Sequence, residues 1–300
     1  MADWITTLPG TEMGATLAVV CALTSAFFHA LFGALQKSGV YDPFLIRGAF
    51  DFWILVLSAP VALFLVPWPS APVMWVLIGA LVIHFFYKLT MALAYVRAPY
   101  TVVYPVVRGS SPVVTVAAAS LFFAESYSAL QWLGIALLSG SIMTLSLFNI
   151  RSLKLSTPLI TTALAWALVC GVLVAAYTTW DAYGIRLAEH PFIFLAWFFM
   201  VTSVDFPIIA YVRWRRMPDC PPLAPLMRRG ILGALIAFVS FGGVMLATYL
   251  DKVGEAAVLR ETSTVFAALI GWLLLKETVG PRRLILMILI ALGAVIVEMG

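Results

Sequence analysis

The sequence predicts an all-α integral membrane protein with ten transmembrane helices, arranged as two inverted five-helix repeats. Of its 300 residues 63% are hydrophobic and 11% are charged, whereas soluble domains carry about 25% charged residues. Apolar runs of about 20 residues, long enough for a helix to cross the hydrocarbon core, recur along the whole chain. An arginine within an apolar segment is twice followed by a glutamate at the segment's end, as Arg108 with Glu125 and Arg260 with Glu277.

The apolar runs place ten spans along the chain, and the short connections between them leave little room for an extramembrane domain. The spans are expected at residues 14–36, 44–66, 72–95, 100–123, 129–148, 158–182, 191–212, 230–250, 256–275 and 282–297. The first run follows no basic segment and no small-residue cleavage motif, so it is interpreted as a retained helix rather than a signal peptide.

The two halves of the chain resemble each other in sequence. Aligning Arg108 with Arg260 superposes further hydroxyl and carboxyl residues without a gap: Ser110 on Thr262, Ser111 on Ser263 and Glu125 on Glu277. Because five spans are an odd number, the second half must enter the membrane with the opposite orientation. The repeats are expected at residues 14–148 and 158–297, with the substrate site near the membrane midplane between them.

Basic residues are concentrated on the loops that share one side if the spans alternate. They are Lys37, Arg97, Arg151, Lys154, Arg213, Arg215, Arg216, Arg228, Arg229, Lys276, Arg282 and Arg283. By the positive-inside rule this side is cytoplasmic and both termini lie outside, in a multi-pass protein of the cytoplasmic (inner) membrane. The basic residues mark span ends and form no stripe with exposed aromatics, so no nucleic-acid partner is expected.

Several segments resemble the EamA-type permeases of the drug/metabolite transporter superfamily. They are Ala-Leu-Ala-Tyr95, the run from Pro112 to Glu125, and its echo from Phe266 to Glu277. The resemblance covers nearly the whole chain and is most specific where the fourth and ninth spans end in glutamate. It implies export or exchange of small metabolites through a central cavity lined by both halves. The stretches around Arg108 and Arg260 also resemble a phosphonate-associated subgroup.

The arginines within spans are the first candidates for substrate binding, because a charge at the bilayer centre costs about 2.5–3.5 kcal/mol on insertion scales. On a helix, Tyr104, Arg108 and Ser111 share one face, and Arg260 shares a face with Ser263. A guanidinium matches a carboxylate or phosphate, so this group is expected to bind a substrate anion. In the structural alternative the arginines pair with buried acids and hold the bundle together; the candidate acids are Asp51, Asp205 and Glu261.

The third span adds a further cation to the candidates. His84, Tyr87, Lys88 and Met91 lie along one stripe of this helix, and Lys88 is far from either membrane surface. Tyr87 and Lys88 are therefore also candidates for substrate binding, whereas His84 is interpreted as a packing histidine. In the alternative, the long lysine stem carries the charge to headgroups or to a carboxylate.

Four residues within or at the ends of spans are candidates for proton coupling: His29, Asp181, Asp205 and Glu261. Histidine titrates near neutral pH, and burial can bring a carboxyl group into that range. The first span carries His29 but no carboxylate, unlike the small multidrug-resistance relatives, so a cationic-drug antiporter of that kind is not expected. Arg47 and Asp51, four positions apart, are expected to neutralise one another.

The leading functional prediction is a secondary transporter that moves a small polar metabolite, anionic or zwitterionic, by alternating access. The alternative is a flippase for a lipid-linked headgroup. No enzyme motif is present, and neither a cofactor nor a metal site is expected from three scattered histidines and unpaired cysteines. The expected partners are a small-molecule substrate and the lipid bilayer. Small residues, namely Gly134, Gly140, Gly293 and Ala294, permit close helix approach and a homodimer.

Overall fold

The computed structural model describes residues 3–37, 41–98, 100–151, 157–273 and 280–300, and all regular structure in these ranges is helical. A 3₁₀ turn (Asp3–Thr7) comes first, and a π-helical turn (Val61–Leu65) extends the second helix. The α-helices are α1 (Glu12–Lys37), α2 (Pro43–Pro60), α3 (Ala71–Arg97), α4 (Tyr100–Phe122), α5 (Ala129–Arg151), α6 (Thr157–Leu187), α7 (Pro191–Val201), α8 (Asp205–Arg215), α9 (Leu223–Leu250), α10 (Val253–Arg260), α11 (Ser263–Leu273) and α12 (Pro281–Met299). The all-α membrane class is confirmed.

Eight segments of the described chain are long and apolar enough to cross a membrane. They correspond to the first eight predicted spans, with α7 and α8 together making the seventh. The ninth predicted span is not one helix, because α10 ends at Arg260 and α11 begins at Ser263. The tenth corresponds to α12, whose first turn carries Arg282 and Arg283. The full count of ten spans therefore stays a prediction.

Side-chain contacts show which helix ends lie together. Arg213 at the end of α8 forms two hydrogen bonds with Asp42 before α2, of 2.9 and 2.7 Å. The Arg229 guanidinium, in the early turns of α9, lies 5.7 Å from the Tyr41 ring, and Arg282 of α12 lies 5.9 Å from Phe148 of α5. These ends define the arginine-rich end of the bundle. Lys154, Lys276 and Glu277 lie outside the described residues, as do the side chains of Lys37 and Arg151.

At the opposite end, Glu125 joins the two halves of the chain. Its carboxylate accepts hydrogen bonds from the amides of Val253 and Gly254 at 2.8 and 3.2 Å, and so caps α10. Tyr127 donates to the same carboxylate, and burial together with this bond raises the pKa of the Tyr127 hydroxyl. Glu125 thus caps α10, which is distant in sequence, rather than the adjacent α5.

The packing of the bundle is reciprocal between the halves. The first helix of the N-terminal half, α1, packs along α9, and the first helix of the C-terminal half, α6, packs along α3. In the repeat alignment α6 corresponds to α1 and α9 corresponds to α3. The contact of α1 with α9 is therefore equivalent to the contact of α6 with α3. This supports the division into two inverted repeats, which stays a prediction.

The helices that end the two halves, α5 and α12, pack directly on one another. A Cβ on Gly134 would lie 2.7 Å from the Gly293 carbonyl oxygen, and a Cβ on Gly293 would lie 2.8 Å from that of Gly134. Small residues therefore permit close helix approach here, as predicted, but within one chain. A Cβ on Gly140 would meet no atom within 4 Å.

Candidate functional site

Two backbone features bring the predicted arginines together. Helix α4 runs without interruption through Pro105 and Pro112 and carries Arg108 in its middle. The loosening that these prolines predict in α4 is not seen there. The break lies instead between α10 and α11, where Arg260 and Glu261 end one helix. It brings both of these side chains into the interior beside α4.

Arg108 and Glu261 form an ion pair between the two halves of the chain. The Arg108 Nη1 atom donates to Glu261 Oε1 at 2.9 Å, and the two residues are 1% and 2% exposed. The other terminal nitrogen of Arg108 contacts Nε2 of His29 on α1. Ser111 donates to the same glutamate oxygen at 3.4 Å. Glu261 is thus one of the three acids that the sequence offers as a partner for the arginines, and it pairs with Arg108.

Arg260 is also buried, but its partners are neutral. Its Nη1 atom donates to the Tyr177 hydroxyl at 3.4 Å, and Nη2 lies 3.3 Å from His29 Nδ1. The guanidinium lies 5.0 Å from the centre of the Phe241 ring. Among the described residues no carboxylate lies within ion-pair distance of Arg260, whose exposed fraction is 2%. Within the described part of the chain, its charge therefore has no direct counter-ion.

His29 lies between the two arginines, with one ring nitrogen toward each. A neutral imidazole has only one acceptor nitrogen, so it cannot accept hydrogen bonds from both guanidinium groups at once. We call Arg108, Arg260, His29 and Glu261 the central cluster. Within it, two donors, Arg108 Nε and Arg260 Nε, and one acceptor, Glu261 Oε2, are buried and find no hydrogen-bond partner among the described residues. Unpaired buried polar groups of this kind are costly unless a ligand satisfies them.

Hydroxyl groups surround the central cluster as the sequence predicts. The Tyr104 hydroxyl lies 3.1 Å from the Ser263 hydroxyl, and the Tyr104 ring lies 5.3 Å from the Arg108 guanidinium. The structure thus brings together five predicted binding residues: Arg108, Arg260, Tyr104, Ser111 and Ser263.

A cavity lies on each side of the central cluster. The first, of about 470 Å³ including its open part, is lined by His29, Tyr104, Tyr87 and the helix-end residues Gln36 and Pro43, and so faces the arginine-rich end. The second, of about 260 Å³, is lined by Arg260, Tyr177, Asp181 and Thr248, and faces the opposite end. The contact between His29 and Arg260 separates them.

Lys88 lies in the wall of the first cavity, but its charge is matched within the protein. Its ammonium donates to Asp51 at 2.9 Å and to the Thr202 carbonyl at 2.7 Å, and it also pairs with Asp205. Arg47 pairs with Asp51 at 2.9 Å, as predicted. The substrate role predicted for Lys88 and the coupling role predicted for Asp205 are therefore not favoured by this geometry, because neither charge is free.

Sequence reasoning missed the pairing of His84 with Asp181. The imidazole Nε2 lies 2.7 Å from Asp181 Oδ2, and both residues are at least 95% buried. His84, interpreted from sequence as a packing histidine, thus has an ionisable partner. The two residues are 97 positions apart, on α3 and α6, and no local pattern signals such a contact.

The fold and this interior define a multi-pass α-helical membrane protein with a charged centre. Residues 161–299 match the model of the EamA-like transporter family, which confirms the EamA-type resemblance over this part of the chain. The family is one of membrane transporters of small molecules.

Comparison with solved structures also supports the fold. In solved structures 29 chains match, among them one described as "Crystal structure of protein", with a TM-score of 0.73 and 18% identity over 95% of this chain and 96% of that one. At this identity the likeness concerns the fold alone. A comparison with curated proteins found no match.

Proposed function

We propose that the chain is a secondary transporter that moves a small anionic or zwitterionic metabolite across the cytoplasmic membrane by alternating access. The observation that carries the proposal is Arg260, a buried cation that lines a cavity and has no carboxylate within ion-pair distance among the described residues. An intramembrane charge without a partner is a functional site by default. The natural ligand for it is an anion.

The substrate's anionic group would bind between Arg260 and Arg108. The free Nε donors of both guanidinium groups can then be satisfied by carboxylate, phosphate or sulfonate oxygens. Tyr104, Ser111 and Ser263 add hydroxyl groups that can bind the rest of a polar molecule. An ion pair in this water-poor interior is stronger than one in water.

The two cavities support alternating access. They face opposite ends of the bundle and are separated by the central cluster, as expected for a state in which neither side has full access to the site. Their linings come from different helices, α1 to α4 for the first and α6, α9 and α10 for the second. Rocking one set of helices against the other would open one cavity to the site and close the other.

The alternative, a flippase for lipid-linked headgroups, needs a cavity that opens sideways to the bilayer. The first cavity is lined by buried or half-buried side chains of four helices. No feature of the described residues favours a lateral opening, so the soluble-substrate proposal is preferred.

The test is a thermal-stability screen of the purified protein against small carboxylates, phosphates, phosphonates, sulfonates and amino acids. A ligand at 100 times its Kd stabilises the folded state by about 2.7 kcal/mol, which is readily measured. The informative variant is Arg108→Gln combined with Glu261→Gln, because it removes a cation together with its paired anion. Arg215→Gln, at an exposed position, is the matched control.

We expect stabilisation by one anion class, with affinity at least about tenfold lower in the double variant and unchanged in the control, since a charge-assisted hydrogen bond contributes about 1.5–3 kcal/mol. Stabilisation by neutral or cationic compounds only would contradict the proposal. So would equal affinity in the wild type and the double variant, or no stabilisation by any anion.

A further inference from the structure

His84 and Asp181 form a buried pair in which both side chains can bind a proton. His84 contacts one oxygen of the Asp181 carboxylate and leaves the other oxygen unbound. Asp181 Oδ2 is bound by His84, but Asp181 Oδ1 is buried and has no hydrogen-bond partner in the ranges that the structure describes. Asp181 is 3% exposed and lines the cavity toward the opposite end. A carboxylate oxygen that faces a cavity beside a histidine can take up a proton from that cavity and share it with the imidazole.

One residue joins this pair to the central cluster. Tyr177, one turn before Asp181 on α6, accepts a hydrogen bond from Arg260 at 3.4 Å. Its ring lies 4.5 Å from the His84 ring, and Arg260 and Asp181 line the same cavity. Any anion that binds Arg260 will therefore change the electrostatic potential at the pair.

The pair has no counterpart in the other half of the chain. In the repeat alignment, which sets Cys21 on Cys170 and Met91 on Met245, Asp181 corresponds to Phe32 and His84 to Phe238. In the cavity toward the arginine-rich end, the position that corresponds to Asp181 is therefore occupied by the Phe32 ring. A proton on the pair has access from one side in this conformation.

We propose that the His84–Asp181 pair is the proton-coupling site of the transporter, loaded with one proton when an anion binds the central cluster. This rests on the proposed function. The positive charge of Arg260 disfavours an added proton nearby, and a bound anion offsets that charge. Protonation and anion binding therefore promote each other, and linkage requires the effect to be equal in both directions.

The proton balance is simple. One proton from the cavity binds the pair, which becomes imidazolium and carboxylate, and the same proton leaves when the anion is released. The other charged or titratable groups that face the pair, among the residues the structure describes, are Tyr87 on α3, Tyr177 on α6 and Arg260 on α10. Lys88, one turn after His84 on α3, is held by two carboxylates, and the Phe198 ring of α7 packs on His84. His29, beyond Arg260, is the competing titratable group.

The experiment measures anion affinity as a function of pH in the purified full-length protein. The probes are sulfate, methanesulfonate and acetate, whose own charges stay constant around neutral pH. We expect affinity to rise as pH falls, by up to about tenfold per unit for one linked proton. A pH indicator in weakly buffered solution should report up to about one proton taken up per anion bound.

The informative variants are Asp181→Asn and His84→Gln, which keep side-chain size close to the original. Both should bind the probes with little pH dependence and without proton uptake. His190→Gln is the control, because His190 is buried but caps α7 away from the cluster. It should keep the pH dependence of the wild type.

The outcomes separate the two proposals. Pronounced pH dependence that persists in both variants assigns the proton to His29 and overturns this inference. Anion binding without pH dependence in the wild type also overturns it, while the transporter proposal stands. If no probe or other anion binds at any pH, the proposed function fails and the coupling inference fails with it.

Discussion

The buried cations differ in the number of carboxylates that each one pairs with. Arg108 has a carboxylate partner, Lys88 has two, and Arg260 has none within ion-pair distance among the described residues. Burial of an ion pair is close to neutral for stability, but removing one partner leaves an uncompensated charge. Ion pairing accounts for the burial of Arg108 and Lys88. It does not account for the burial of Arg260, so a functional role is expected for that residue.

The Arg108–Glu261 pair can be tested by a double-mutant cycle. Arg108→Gln and Glu261→Gln should each lower the free energy of unfolding by about 3–5 kcal/mol, because each leaves a buried charge without its partner. The double variant should recover a large part of that loss. The measurement is unfolding of the detergent-solubilised protein for all four members of the cycle. Additive losses would show that the two side chains do not stabilise one another.

Residue-level prediction succeeded where helix geometry alone decides. Tyr104, Arg108 and Ser111 lie four and three positions apart, so any helix places them on one face. The sequence offered Glu261 as one of three candidate acids but did not assign it to Arg108, and it gave no partner for His84, because Glu261 and Asp181 reach their partners from distant segments. Lys88 shows the same limit: its depth was clear from sequence, but its two carboxylate partners were not.

At the scale of helices, the break between α10 and α11 is the main departure from the sequence expectation. Hydropathy predicts one span over residues 256–275 because only two charges interrupt it. The break occurs where Thr262 and Thr264 donate to the carbonyls of Leu259 and Glu261, at 2.6 and 2.8 Å. Such local bonds offer the backbone an alternative to a regular helix. A hydropathy value is an average over a window of residues and does not detect such side-chain hydrogen bonds.

The contact between α5 and α12 gives a prediction with a control on the same helix. Gly134→Ala should lower the free energy of unfolding by about 1–3 kcal/mol, because its Cβ would lie 2.7 Å from the Gly293 carbonyl oxygen and push the helices apart. Gly140→Ala should be neutral or stabilising, by up to about 1 kcal/mol, since alanine favours helix and no atom is near. Thermal unfolding of both variants checks this. Equal effects would argue against the close packing.

For the whole molecule, membrane orientation is set by the distribution of arginines. Arg213, Arg216 and Arg228 lie at the end where α8 finishes and α9 begins. Cys220 lies at this end and is exposed, whereas Cys170 is buried and Cys21 is half-buried within α1. Labelling of Cys220 can therefore determine which side of the membrane this end of the bundle faces.

Cys220 should react with a membrane-impermeant maleimide only when the cytoplasmic face is accessible. In sealed vesicles of known sidedness, we expect labelling of inside-out vesicles and none of right-side-out vesicles until they are permeabilised. Cys220→Ser should abolish the signal. Adding Ser70→Cys, in the exposed connection before α3, should restore labelling from the outside. The reverse pattern would invert the orientation inferred from the positive-inside rule.

The ion pairs that cross between the halves also affect how the chain can be assembled. Arg108 of the first half meets Glu261 of the second, Lys88 meets Asp205, and His84 meets Asp181. While only the first half has left the ribosome, Arg108 lacks Glu261, its partner in the folded protein, and Lys88 lacks Asp205, although Asp51 belongs to its own half. The nascent first half must therefore keep these side chains near water, or with an insertion factor, until the second half arrives. Translation, membrane insertion and helix packing are thus coupled by the charges that form the centre of the folded protein.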